Sequence, residues 1–208
     1  GQLSAIAGKL PEGNYQLQSD WTRQQRVQAS IGWGLDLYRF DRYKKNPVPD
    51  KRLSLDSDIE KDVRTLCEAQ NLVRDMVNTP TEHMGPQQLE DVVVGVAERH
   101  GAKSRSIVGQ DLLTRNFPAI HVVGRASDRD PRLIHMSWGD EDSPRLFLVG
   151  KGVCFDSGGL DIKSATGMAN MKKDMGGAAH ALALATLIMQ HKLPVRLELL
   201  ISAVENSI

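Results

Sequence analysis

The sequence predicts an α/β fold with a mostly parallel, twisted sheet flanked by helices, and three observations predict it. Helical apolar stripes alternate with short apolar runs of strand type along most of the chain. The Ala- and Leu-rich stretch Ala178 to Gln190 reads as a buried helix; Pro194 ends it, and Val195 to Ala203 reads as a buried strand. A glycine-rich segment opens directly behind the apolar run Leu146-Phe147-Leu148-Val149, where open α/β sheets collect their functional groups.

Taken in order, Gly8, Pro11 and Gly13 punctuate the first fifty residues. Trp21 to Tyr38 reads as a helix with Val27, Ile31 and Leu35 on one face. The aromatic and basic run Tyr38 to Lys45 reads as a solvated or interdomain surface. Asn46-Pro47-Val48-Pro49-Asp50 reads as a linker, because proline lacks a backbone donor and restricts its neighbours. A boundary is therefore placed near Lys51, giving regions 1–50 and 51–208. Ser57 and Glu60 form a capping box, with Ser57 as N-cap of a helix striped by Val63, Leu66, Val73, Met76 and Val77. Asn78-Thr79-Pro80 ends it. A second helix starts at Pro86, carries Leu89, Val92, Val93 and Val96, and stops at His100-Gly101. Ser106–Val108, Ile120–Val123, Leu133–Trp138 and Leu146–Val149 read as strands. There is no internal repeat and no low-complexity tract.

The 208 residues carry 26 basic and 26 acidic side chains, a formal charge of zero. Nucleic-acid and anionic-membrane partners usually require a basic face, so neither is expected. No apolar run approaches the roughly 20 residues that span a bilayer, and the first residues lack the pattern of a signal peptide. Cys67 and Cys154 stand far apart, which argues against a disulfide framework and points to a reducing cytoplasm.

Chemistry concentrates between Val149 and Gly177. Lys151 lies in Gly150-Lys151-Gly152, Asp156 opens Asp156-Ser157-Gly158-Gly159, Lys163 follows seven residues later, and Asp174 precedes Met175-Gly176-Gly177. Paired glycines let a backbone turn sharply and approach a ligand. Two carboxylates suit hard or borderline divalent cations. An ammonium beside such cations is driven toward the neutral amine, a possible ligand; a second lysine held off the metal stays charged and can stabilise an oxyanion. By itself, the pattern also describes a solvated turn.

Val149-Gly150-Lys151-Gly152, Phe155 to Leu160, Ile162-Lys163, Met168, Met171 and Lys173 to Ala179 resemble, spacing for spacing, the leucine aminopeptidase (cytosol aminopeptidase, M17) family. That family's pattern reads VGKG-x-x-FDSGG-x-x-IK, then M-x-x-M-x-x-DMGGAA. Asn78-Thr79-Pro80 with Met84-Gly85-Pro86, Phe117 to Ile120 and Ala203-Val204-Glu205-Asn206 extend the likeness, which runs from about Leu72 to the end. The resemblance implies a zinc-exopeptidase-like catalytic domain preceded by a remnant of an N-terminal α/β domain. It implies removal of N-terminal residues from peptides with two divalent metal ions, Zn²⁺ or Mn²⁺, in a cytoplasmic homo-hexamer. By position, Lys151, Asp156 and Asp174 correspond to metal ligands, with Asp156 shared by both ions. Lys163 corresponds to the catalytic lysine near the scissile carbonyl, and Met171 to a methionine lining the pocket for the first side chain.

One departure bears on activity. The family's NTDAEGR signature, which supplies a further aspartate, a glutamate and an arginine, would follow Ile208. A piece without it is expected to be inactive alone. The alternative reading is a non-catalytic binding or assembly protein that keeps the fold. Other chemistry fits less well. DSGG also surrounds the nucleophile of chymotrypsin-like proteases, but that fold is all-β and needs a histidine base. The phosphate-binding GxxxxGK[ST] is absent, and the six histidines show no ligand spacing. His121 and His135 read as packed or hydrogen-bonded residues, His180 as a core residue of the Ala-rich helix, and Cys154 as a small buried one.

Overall fold

A computed structural model describes residues 6–45 and 47–207. By contacts the chain divides into two compact units between Arg74 and Asp75.

In the first unit, strand β1 (Gly13–Gln16) is followed by helix α1 (Arg23–Leu37). Strand β2 (Lys51–Ser54) pairs with β1 in parallel, Gly13 opposite Lys51 and Gln16 opposite Ser54. The boundary expected near Lys51 thus falls at the start of a strand held by the N-terminal unit. Thr22 caps α1 through a reciprocal box: Gln25 N–H donates to Thr22 Oγ1 at 3.4 Å, and Thr22 N–H donates to Gln25 Oε1 at 2.9 Å. The expected stripe of α1 is only half-buried; Ser30, Gly32 and Trp33 are its most buried residues. Arg26 pairs with Asp56 and Asp58, and Arg23 with Asp62. Helix α2 (Glu60–Asn78) begins three residues after the proposed Ser57 cap. Residues 57–59 form a turn in which Ile59 and Glu60 N–H both donate to the Asp56 carbonyl at 3.0 Å. Val63, Ala69, Val73 and Met76 form its buried stripe, and Ile59 is buried in the turn before it.

The second unit carries helix α3 (Pro86–His100), strand β3 (Lys103–Val108), short helices α4 (Asp111–Thr114) and α5 (Pro118–Gly124), and strands β4 (Arg132–Trp138) and β5 (Arg145–Asp156). Helix α6 (Ala165–Met168), a 3₁₀ turn (Met171–Met175), helix α7 (Gly176–Gln190) and strand β6 (Arg196–Asn206) follow. Pro86 and Gly101 bound α3 as expected, Gly101 at φ 66°. The sheet order is β3-β4-β6-β5. β5 and β6 are parallel, but β3/β4 and β4/β6 are antiparallel. The α/β class therefore stands, while the described sheet is mixed rather than mostly parallel. A second correction concerns Ile120–Val123, which lies in helix α5. Four apolar residues have no decisive period, and Pro118 at the first helical position starts a helix.

One face of the sheet carries the core. Leu197, Leu199, Ile201 and Ala203 of β6 and Ile134 and Met136 of β4 are fully buried, as are Leu89, Val93 and Val96 of α3 and Ala178, Leu182 and Ala185 of α7. Each large apolar side chain so buried contributes about 1.5–3 kcal/mol. The opposite face carries a polar chain. Arg105 Nε donates to His135 Nδ1 at 3.0 Å, His135 Nε2 lies 2.6 Å from Glu198 Oε2, and Arg196 Nε donates to Glu198 Oε1 at 3.0 Å. Burial pushes the Glu198 carboxyl up, but the bonds from His135 and Arg196 outweigh it and hold it below its usual value. A carboxylate with a depressed folded pKa adds stability above its unfolded value and loses it as pH falls through the folded one. Thermal unfolding below the ordinary glutamate value of 4.5 is therefore expected to show a steeper loss of stability in the native chain than in Glu198→Gln. At pH 7 the substitution is expected to cost about 1–3 kcal/mol.

Candidate metal centre

β5 is the backbone of the site. It runs to Asp156, so Lys151 lies within the strand, not beyond its end, and Asp156 takes the terminal position. Residues five apart on a regular strand point to opposite faces. Here the register shifts between Val153 and Phe155: Val153 pairs with Val204 and Phe155 with Glu205, leaving Cys154 as the extra residue of a bulge. Lys151 then pairs with Ser202 and Asp156 with Asn206, four positions along β6. Four is even, so Lys151 and Asp156 share a face, with Cα atoms about 13 Å apart.

Two glycine contacts bring the second aspartate in. A Cβ on Gly150 would lie 2.6 Å from Ala178 Cα, and one on Gly177 would lie 3.2 Å from Lys151 N. The start of α7 therefore rests directly on β5, and the preceding 3₁₀ turn delivers Asp174. Lys151 Nζ lies 2.6 Å from Asp174 Oδ2 as an ion pair without hydrogen-bond alignment. That oxygen is buried and has no hydrogen-bond partner among the described residues.

The other pair forms where the strand ends. Gly158 and Gly159 adopt φ 95° and 66°, and the loop they form returns Lys163 to Asp156. Lys163 Nζ pairs with Asp156 Oδ2, while Asp156 Oδ1 accepts from Gly158 N–H at 3.0 Å and Asn206 Nδ2 at 2.7 Å. Burial raises the Asp156 carboxyl, but these donors outweigh it and hold it below the ordinary aspartate range. Met171 opens the 3₁₀ turn and is half-buried.

The four charged residues thus form two separate lysine–aspartate pairs along one strand. Their donor set suits a cation: two carboxylates, one with a buried oxygen lacking a hydrogen bond, and an amine. It is a partial set, since no three His, Cys, Asp or Glu residues cluster for a metal among the described residues.

Neighbouring groups support the frame. Thr81 Oγ1 donates to the Cys154 carbonyl at 2.7 Å, and Lys172 Nζ to the Asn78 carbonyl at 2.7 Å. Burial pushes the Cys154 thiol up to about 12; 1% exposed and protonated, it is no nucleophile. His180 was expected in the core but is exposed, bonded to the Gly176 carbonyl at 2.7 Å. Asn206 is the residue sequence reasoning passed over. It figured in the sequence only as the last residue of Ala203-Val204-Glu205-Asn206 in the family likeness, with no role given to its amide.

Fold and site define an α/β domain that brings two lysines and two aspartates to one mixed sheet. The chain belongs to the cytosol aminopeptidase family. Residues 71–208 match that family's catalytic domain, and residues 1–56 match the M17 aminopeptidase N-terminal domain. A probable cytosol aminopeptidase of Rhodococcus jostii is 33% identical over 196 residues, 86% of this chain and 39% of that protein. The crystal structure of cytosol aminopeptidase from Coxiella burnetii has a TM-score of 0.94 and 48% identity, covering 98% of this chain and 45% of that one. The bottromycin maturation enzyme BotP in complex with Mn has a TM-score of 0.87 and 28% identity, covering 99% of this chain and 47% of that one. This chain thus spans less than half the length of these relatives. No described helix is long and apolar enough to cross a membrane.

Proposed function

We propose that the protein carrying this chain is a metal-dependent aminopeptidase that hydrolyses the N-terminal residue from peptides. The observation that carries this reading is the buried, unbonded Asp174 Oδ2 beside Lys151, on the strand that ends in Asp156. Lys151, Asp156 and Asp174 would hold two divalent ions, Zn²⁺ or Mn²⁺, with Asp156 shared. Bound ions would polarise the scissile carbonyl and lower the pKa of water. Lys163, held beside Asp156, would act as the donor to the developing oxyanion, a contribution of about 2.7–4 kcal/mol for a well-placed donor. Met171 offers an apolar wall to the first side chain. Residues 1–50, together with the strand β2 that pairs with them, are assigned to the N-terminal domain, and the unit from Asp75 onward to the catalytic domain. A cytoplasmic homo-hexamer completes the reading.

Full-length protein assayed on aminoacyl p-nitroanilides tests it. Turnover is expected to require a free α-amine, to fall at least about 100-fold on chelation, and to return with Mn²⁺ or Zn²⁺. This chain alone is expected to be inactive. Absence of turnover with every metal would instead favour a binding or assembly protein that retains the fold.

A further inference from the structure

Asp156 is held from two sides, and the second side belongs to β6. The two residues are register partners at the ends of the parallel pair β5/β6. The Asn206 amide donates to Asp156 Oδ1 at 2.7 Å. The Asn206 backbone carbonyl accepts from Ser157 N–H at 3.0 Å and Ser157 Oγ at 2.8 Å. Gly159 passes so close that an added Cβ would lie 3.0 Å from Asn206 Oδ1. Asn206 therefore holds Ser157 by its main-chain carbonyl and the Asp156 carboxylate by its side chain, with Gly159 close against its amide.

A carboxylate offers about four lone-pair directions on two oxygens. With Gly158 N–H and the Asn206 amide both on Oδ1, that oxygen is saturated. Only Oδ2 faces a cation, and in this structure the cation is the Lys163 ammonium. A freely rotating carboxylate could instead turn both oxygens to one ion and chelate it. We propose that Asn206 is a positioning residue that saturates Asp156 Oδ1 and so dictates presentation of Asp156 through Oδ2. This rests on the reading of Asp156 as a metal ligand.

The test uses full-length protein, Mn²⁺ titrated by electron paramagnetic resonance, and the visible absorption of the Co²⁺-substituted protein. Asn206→Ala is expected to weaken Mn²⁺ binding about 10–100-fold and to shift the Co²⁺ bands. Asn206→Leu keeps the side chain's approximate shape without its donor and is expected to do the same with a native-like unfolding midpoint. Asp156→Asn is the control for the underlying reading. If Asp156→Asn weakens Mn²⁺ binding while a folded Asn206 variant keeps native affinity and native Co²⁺ bands, the positioning role is overturned and the ligand reading survives. If Asp156→Asn leaves Mn²⁺ binding intact, both fall together.

Discussion

Asp156→Ala in the full-length protein is expected to abolish peptide hydrolysis, lowering kcat/KM by at least about 10³-fold, or about 4 kcal/mol of transition-state stabilisation. Three partners lose their anchor at once. Lys163 is no longer held at the strand end, the Asn206 amide and Gly158 N–H lose their acceptor, and the proposed shared ligand disappears. The fold should suffer far less. The carboxylate is half-buried at a strand terminus, so its donors can reach water, and the stability cost is about 1–3 kcal/mol. Steady-state kinetics and denaturant unfolding on the same sample separate the two effects. Turnover within tenfold of native in a folded variant would remove Asp156 from the chemistry.

The other large effect is structural. Gly150→Ala is expected to destabilise the fold by about 3 kcal/mol or more. The added Cβ would lie 2.6 Å from Ala178 Cα and 3.1 Å from Ala178 N and the Gly177 carbonyl oxygen, all backbone atoms that cannot rotate away. Relief requires moving the start of α7 off β5, and that movement carries Asp174 away from Lys151. The variant should therefore lose both stability and cation affinity. Gly101→Ala supplies the comparison. Its Cβ meets nothing within 4 Å, and only its φ of 66° is unfavourable, a cost of about 1 kcal/mol. Urea midpoints for the two variants measure the difference directly. Equal midpoints would show that α7 moves freely on the sheet.

What the sequence made legible follows from how local each signal is. Helix α3 is bounded by Pro86 and Gly101, and both ends were readable because proline and glycine act on their own backbone. The grouping of Lys151, Asp156, Lys163 and Asp174 around one glycine-rich segment was readable because they lie close in sequence; their division into the pairs Lys151–Asp174 and Asp156–Lys163 is set by the fold. Features set by distant residues were not readable. β5 runs seven residues past Val149, because its later residues pair with β6 as far as Asn206. β1 and β2 are four residues each, with no alternation long enough to announce a strand. Sheet direction was unreadable for the same reason. β6 inserts between β4 and β5, antiparallel to one and parallel to the other, and no local pattern encodes that neighbour order. Asn206 was overlooked because its role depends on its register opposite Asp156.

The bulge at Cys154 makes the site depend on the path of the strand as well as on composition. On a regular strand of the present length, the spacing of five would put Lys151 and Asp156 on opposite sides of the sheet. Removing Cys154 would leave a spacing of four and a ladder without a bulge, with both residues still on one side. The extra residue and the bulge that absorbs it therefore belong together. A chain that kept the residue but straightened the strand would lose the site.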